Sequence, residues 1–298
     1  MLIVPKDEVN IIYSNIPEID ENIEVYDNAK TYSLGDIVQF DGSIFESAKD
    51  ENIDTPVNKQ SSLSWFYIGA TNRYKMFDEY IDTLTQNKNI IEYELLVNDI
   101  DTICFFNLDA FFVEVELYNK QGLLIYQNKK STYTRDVSNW YEWTVIKSRE
   151  QKTLFFNNLP FGWECILKVK ISKEQDITKC GLMTFGRSLD LGLTLAEPKP
   201  ISSIRNTTTK ERLKDGSLKF INSRVYKRVV LNVIVSTSRV AQIQAILEQY
   251  SNQPLLFIGV EKDDENLNIL SAFGFFKDFD KPIGLNFTQY QIEIEGIV

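Results

Sequence analysis

The sequence predicts a mainly β protein in three bodies: a small β module, a jelly-roll-like β-sandwich, and a C-terminal α+β domain with a four-stranded sheet and one helix. Three observations predict it. Aromatics make up 12% of the 298 residues, with 19 Phe and 14 Tyr, and such rings suit pleated surfaces better than helices. Short apolar or alternating runs recur at even intervals, each bounded by Asn, Asp, Gly or Pro. Only SRVAQIQAILEQYSN holds a clear helical period.

The first body, residues 1–78, opens with the acidic stretch IPEIDENIEVYD and passes into short strands. Gly35-Asp36 suits a turn, and Ile37, Val38 and Phe40 suit a strand. Asp41 and Gly42 both tolerate the positive φ of a tight hairpin, so SIFESAKD returns as a second strand. A polar loop leads to a third, Trp65-Phe66-Tyr67-Ile68-Gly69. Tyr32, Phe40, Phe45, Trp65, Phe66 and Tyr67 crowd this one module. They suit either a stacking platform for sugar rings or the only core that so small a unit can have. Tyr32, Phe45, Trp65 and Tyr67 are the candidate glycan contacts.

Residues 79–195 carry longer runs: IIEYELLV, TICFFNL, AFFVEVELYN, LLIYQNK, WYEWTVIK, TLFFNNL and WECILKVKI. Their number and spacing predict the sandwich. Phe112 to Tyr118 alternates apolar with acidic, as a strand with one wet face does, and Asn119–Gly122 suits the hairpin that follows. Trp140 and Trp143 in NWYEW form a second aromatic knot. They are candidates for sugar contact or interface anchoring, against a division between core and rim.

Residues 196–222 are a linker or a projecting hairpin arm. Two prolines precede TTTKERLKDGSLKF, with Asp215-Gly216 as a central turn; the composition also fits a disordered loop. The last body, 223–298, begins with the strand VYKRVVLNVIVS. In the helix that follows, Val240, Ile243, Leu247 and Tyr250 share a face and Ser238 can cap. PLLFIGV, NILSAFGFFKDF and NFTQYQIEIEGIV complete the sheet.

Composition excludes whole classes of function. A net charge of −10 with no basic stripe argues against nucleic acid as the main partner. No run approaches the roughly 20 apolar residues of a membrane span, so no membrane insertion is expected. MLIVPKDEVN lacks the basic and apolar regions of a signal peptide. Cys104, Cys165 and Cys180 are too widely spaced for a metal site or a disulfide framework, and read as buried free thiols. The absence of histidine removes Ser-His-Asp and Cys-His catalysis and imidazole ligands. Carboxylates remain, but Glu114 and Glu116 look like a solvated strand face. Glu261, Asp263, Asp264 and Glu265 lack the spaced pattern of a Ca²⁺ loop. No catalytic residue, metal or cofactor is expected.

YSLGDIVQFDGSIFESA, running on to WFYIGATNRYKMFD, resembles a family of bacteriophage tail proteins that open with a chitin-binding-like, carbohydrate-binding module. The family signature, Gly-x-Thr-Asn-Arg-aromatic-x-Met-Phe-Asp, matches here at Gly69, Thr71, Asn72, Arg73, Tyr74, Met76, Phe77 and Asp78. LFFNNLPFGWECILKVKI, Cys180-Gly181 and Phe185-Gly186 look like that family's sandwich. Tyr226-Lys227-Arg228, QPLLFIG, AFGFFKDF and IEIEGIV look like its last domain. Where the family has paired tryptophans, this chain has Trp65-Phe66.

The resemblance implies a virion protein of the tail tip, baseplate or neck. Such a protein is made in the host bacterial cytoplasm, is not an enzyme, and is assembled as a homo-oligomer with other tail proteins. A host surface glycan is the alternative partner. Arg73 and Asp78 are expected to pair at the junction of the first two bodies, and Lys210 and Lys214 to present the arm for assembly.

Overall fold

Strands that alternate apolar and polar residues bury one face, whereas strands apolar throughout bury both. The computed structural model describes residues 1–57, 59–134, 139–145, 149–206, 208–212, 217–221, 225–260, 268–280 and 284–297. In it the runs TICFF, LMTFG and LLFI are buried at every position, while FVEVELY alternates.

The chain opens with β1 (Leu2–Val4) and β2 (Asn10–Ser14). The first module holds β3 (Glu24–Val25), β4 (Ile37–Phe40), β5 (Ser43–Ser47) and β6 (Trp65–Ala70). Next come β7 (Thr85–Val97), β8 (Thr102–Phe106), β9 (Phe112–Tyr118), β10 (Leu124–Ser131) and β11 (Tyr133–Thr134). Helix α1 (Trp140–Val145) leads to β12 (Arg149–Glu150), β13 (Leu154–Asn157), β14 (Cys165–Cys180) and β15 (Leu182–Gly186). Then follow β16 (Leu189–Asp190), β17 (Leu193–Thr194), β18 (Ile201–Asn206), β19 (Thr209–Arg212), β20 (Leu218–Ile221) and β21 (Val225–Ser236). Helix α2 (Val240–Gln249) precedes β22 (Leu255–Ile258), β23 (Ser271–Asp280) and β24 (Phe287–Gly296).

The fold is mainly β with a C-terminal α+β region, and its sheets stack as layers. A five-stranded sheet, β10-β9-β14-β7-β2, faces a three-stranded one, β13-β8-β15. The core between them includes Tyr93, Leu95, Val115, Val169, Phe105 and Phe156; this is the sandwich. Along β8, Ile103 and Phe105 enter that core, while Cys104 and Phe106 point the other way. They meet Val4, Leu256, Ile258 and Phe273 in a second core, shared with the C-terminal sheet. The C-terminal sheet, β16-β1-β22-β23-β24-β21-β17 with β18 also on β21, buries its far face under Val240, Ile243 and Leu247 of α2.

Several expectations are corrected. The first fourteen residues do not belong to the first module: β1 pairs with β22 and β16, and β2 pairs with β7. Leu2-Ile3-Val4 is apolar at every position, and the large sheet can cover both its faces. The four C-terminal strands are present, but β1, β16, β17 and β18 extend them to eight. In the first module, β3 adds a parallel strand to the three expected, and the hairpin forms with φ of 46° at Asp41 and 70° at Gly42.

The described part of WYEWTVIK, Trp140–Val145, is helical and not a strand. This helix, α1, lies outside every sheet and so must satisfy its backbone locally. Helix α2 buries the expected face, but Ser238 does not cap it. The hydroxyl instead meets Ser236 Oγ at 2.9 Å, and a 3-10 turn over Thr237–Arg239 leads in. All three cysteines are free and buried.

Residues 201–206 pair with 225–230, and residues 209–212 with 218–221, as the two ladders of a ribbon. β18 runs along β21 from Ile201↔Val230 to Asn206↔Val225, and beyond it β19 pairs with β20 from Thr209↔Ile221 to Arg212↔Leu218. Asp215-Gly216 lies outside the described residues.

Candidate functional site

The module's aromatics turn inward. Trp65, Tyr32 and Phe45 are at most 1% exposed and form the module core with Val38. Trp65 stands edge-on to Tyr32 at 5.3 Å and to Tyr26 at 5.9 Å, and its Nε1 donates to the Asp54 carbonyl at 2.7 Å. The Asp27 N–H donates to the Tyr32 hydroxyl at 2.7 Å. These three residues offer no ring face to a sugar. A sheet this small has nothing else with which to exclude water, so its largest side chains are its core.

Tyr67 differs. It lies edge-on to Phe45 at 5.8 Å and is half-buried at the wall of a cleft of about 620 Å³. Three segments build that cleft: Lys6–Asn10, β6 with Lys59, and the turn from Tyr74 to Tyr80. Lys6 enters from the N-terminal segment because β1 and β2 are anchored in different sheets and the chain between them must cross here. Its Nζ donates to the carbonyls of Phe77 and of Asp78, the latter at 3.0 Å, at the end of the 3-10 turn Lys75–Phe77. Cations favour that end of a helical turn.

Burial dominates the electrostatics of the cleft. It lowers the Lys6 ammonium to about 8, against the pull of Asp78 and Glu79. It raises the Asp78 carboxyl, against hydrogen bonds from Thr83 Oγ1 at 2.6 Å and the Tyr80 N–H at 2.7 Å. It also raises the Tyr67 phenol, with Asp78 adding to the effect. With Lys6 held on two carbonyls, the groups left facing the cleft are phenols and carboxylates together with the Lys59 ammonium and the Asn10 amide. They suit a polyhydroxylated guest.

The expected pairing of Arg73 with Asp78 is not formed. Arg73 faces Glu18 at 3.9 Å, and its Nε is buried with no hydrogen-bond partner among the described residues. Asp78 folds onto its own turn instead. The junction is held by neutral groups of the same signature. Asn72 Nδ2 donates to the Gln86 carbonyl and Asn72 Oδ1 accepts from the Gln86 N–H, both at 2.9 Å. Thr85 Oγ1 accepts from the Met76 N–H at 2.8 Å and donates to the Asn72 carbonyl at 2.9 Å. Tyr93 Oη donates to the Arg73 carbonyl at 2.6 Å. A Cβ on Gly42 would fall 2.6 Å from the Tyr74 ring, so this ring seats on the hairpin only because position 42 is glycine.

The remaining candidates are scattered. Trp140 is 79% exposed beside exposed Tyr141 on α1, and the side chain of Trp143 lies outside the described residues. Lys210 is on β19 with its side chain undescribed; Lys214 and the acidic turn from Glu261 to Glu265 lie outside the described residues. Glu114 and Glu116 share the amide of Gln127, at 3.0 Å each, on the outer face of the five-stranded sheet.

Sequence reasoning missed the exposed pair Phe161 and Trp163, edge-to-face at 5.9 Å at the sandwich end. Pro160 and Gly162 were the available signal, since they delay the strand until Cys165 and leave Trp163 in a loop. It also missed Lys6, whose isolated charge carries no signal of its own.

Among the described residues no group of three or more His, Cys, Asp or Glu could hold a metal ion, and no helix is long and apolar enough to cross a membrane. Comparison with protein-family models, curated proteins and solved structures finds no match for this chain.

Proposed function

We propose that this chain is a non-enzymatic structural component of a bacteriophage tail, at the tip, baseplate or neck, assembling with copies of itself and with neighbouring tail proteins. The observation that carries the reading is the ribbon. Its outer part, β19 with β20, pairs with no other strand among the described residues. A two-stranded ribbon alone is marginal in water, and its open edges are templates for another chain. At its base Ile201, Ile204 and Val225 are exposed. A rigid layered body with such a ribbon is built to be joined to others, and closed rings or spikes are the usual result. The resemblance of the TNRYKMFD signature to tail proteins points the same way.

Light scattering after size exclusion tests assembly, comparing the full chain with a variant in which residues 209–221 are replaced by a short turn. The full chain is expected to form a defined oligomer and the variant a folded monomer. Immunogold labelling of purified virions tests location, and a protein absent from the particles ends this reading.

A second reading, a host-glycan adhesin, is favoured by the cleft at Tyr67, Tyr74 and Tyr80, where phenols and carboxylates converge. A glycan array with Tyr80→Ala as the control tests it, since Tyr80 is half exposed and its truncation spares the core. Absence of any array signal from the oligomer removes it.

A further inference from the structure

A second cavity, of about 550 Å³, lies at the base of the ribbon, where the ribbon, the three-stranded sheet β13-β8-β15 and the C-terminal sheet meet. Its inner wall is apolar: the rings of Phe106 and Phe273, 6.0 Å apart, with Ile297 beside them. Its mouth is apolar too, formed by Ile204, Val225 and Ile269, all exposed. One basic side chain lines it, Lys227, and among the described lining residues there is no carboxylate. In a chain of net charge −10 that local balance is unusual.

Lys227 Nζ donates to the Ser271 carbonyl at 2.6 Å, which engages one of the three donors of an ammonium. Beside it the Ser271 hydroxyl is buried and makes no hydrogen bond among the described residues, on a residue only 4% exposed. Buried polar groups are normally paired, so a largely buried ammonium with one acceptor among the described residues asks for another. Burial lowers Lys227 to about 8, which leaves it charged at neutral pH.

We propose that this cavity binds a small amphiphile with one anionic head and an apolar tail, of which a medium-chain aliphatic carboxylate is the simplest example. The carboxylate meets the Lys227 ammonium, the one cationic group among the cavity's described lining residues. The tail lies along Phe106 and Phe273 and leaves past Ile204 and Ile269. The volume is of the size that drug-sized ligands occupy, roughly 300–1,000 Å³.

The test is calorimetric titration of the full chain with sodium decanoate, below its micelle concentration, and with decyltrimethylammonium as the charge-reversed probe. Decanoate is expected to bind saturably with one site per chain, and the cation at least tenfold more weakly. Lys227→Met should weaken decanoate at least tenfold. Should that variant fail to fold, Ile204→Asp serves: the residue is 78% exposed, so the fold tolerates the change, and the new carboxylate at the mouth should also cost at least tenfold. Lys30→Met, at an exposed ion pair in the first module, should bind as the wild type does. No saturable binding of decanoate, equal affinity for the two probes, or an unaltered affinity in Ile204→Asp overturns the proposal.

Discussion

Trp65→Ala separates a core residue from a sugar platform, and the structure sets the size of the effect. Truncating a buried Trp costs about 3–5 kcal/mol, and each edge-on ring contact adds about 0.5–1.5 kcal/mol to what area alone would give. Trp65 is fully buried, has two such contacts and donates a hydrogen bond to the Asp54 carbonyl. Among the described residues the module core has three other fully buried hydrophobic side chains, Tyr32, Val38 and Phe45.

A loss of about 4 kcal/mol therefore falls on a unit that has little to spare, since whole domains are stable by only about 5–15 kcal/mol. Limited proteolysis of the full chain, read by mass, is the assay. Cleavage between residues 17 and 70 should appear under conditions that leave the sandwich intact. Trp65→Phe keeps a ring but loses the Nε1 donor, so it should lie between the two, about 1–2 kcal/mol down. Unchanged protease resistance in Trp65→Ala, with a loss confined to glycan binding, would refute the reasoning.

Lys227 also predicts a pH dependence. It releases its proton near 8 in the folded chain and near 10.5 when unfolded, so the unfolded state binds more protons between those values and stability from this residue rises with pH across them. The difference in unfolding free energy between wild type and Lys227→Met should rise by about 2–3 kcal/mol over that window, at 1.36 kcal/mol per pH unit. A flat difference in urea titrations at pH 7.5 and 10.5 contradicts it. Gly274→Ala places a Cβ 1.9 Å from the Glu295 carbonyl across the β23–β24 ladder. It should cost about 2–3 kcal/mol, and an unchanged melting temperature would show that the ladder can yield. Phe273→Ala should cost about 3–5 kcal/mol and lower hydrogen-exchange protection in β8 and β15 as well as in β22, because all three line one core. A response confined to the C-terminal sheet would mean that the layers are independent.

Local patterns were the readable part of this molecule. Asp41-Gly42 declares its hairpin because positive φ restricts the choice of residue, and β21 and β24 declare themselves by length and alternation. Val240, Ile243 and Leu247 mark the buried face of α2 for the same reason. What could not be read depends on partners distant in the chain. Leu2-Ile3-Val4 looks like any apolar tripeptide until β22 is beside it. Tyr32, Phe45 and Trp65 have the same letters whether they stack on a sugar or on one another, and only the four-stranded module around them decides. The cleft at Lys6 is assembled from residues 6–10, 59, 67, 70, 74 and 77–80, segments that form no motif with one another in sequence. Trp140 and Trp143 sit in an insertion that joins neither sheet, so the strand-like composition of NWYEW had no ladder to join.

The pairing of β1 with β22 has a consequence for how the molecule is made. On the ribosome, Ile3 waits for Phe257, about 250 residues behind it, which at roughly 5–20 residues per second is tens of seconds. During that interval the outward side of the nascent sandwich, Cys104, Phe106, Phe155 and Leu182, has no cover. Translation that stalls before Leu255 leaves a sticky greasy plane and an orphaned leading strand. The growing polypeptide is a natural client for holdase chaperones until its last quarter emerges and closes over it.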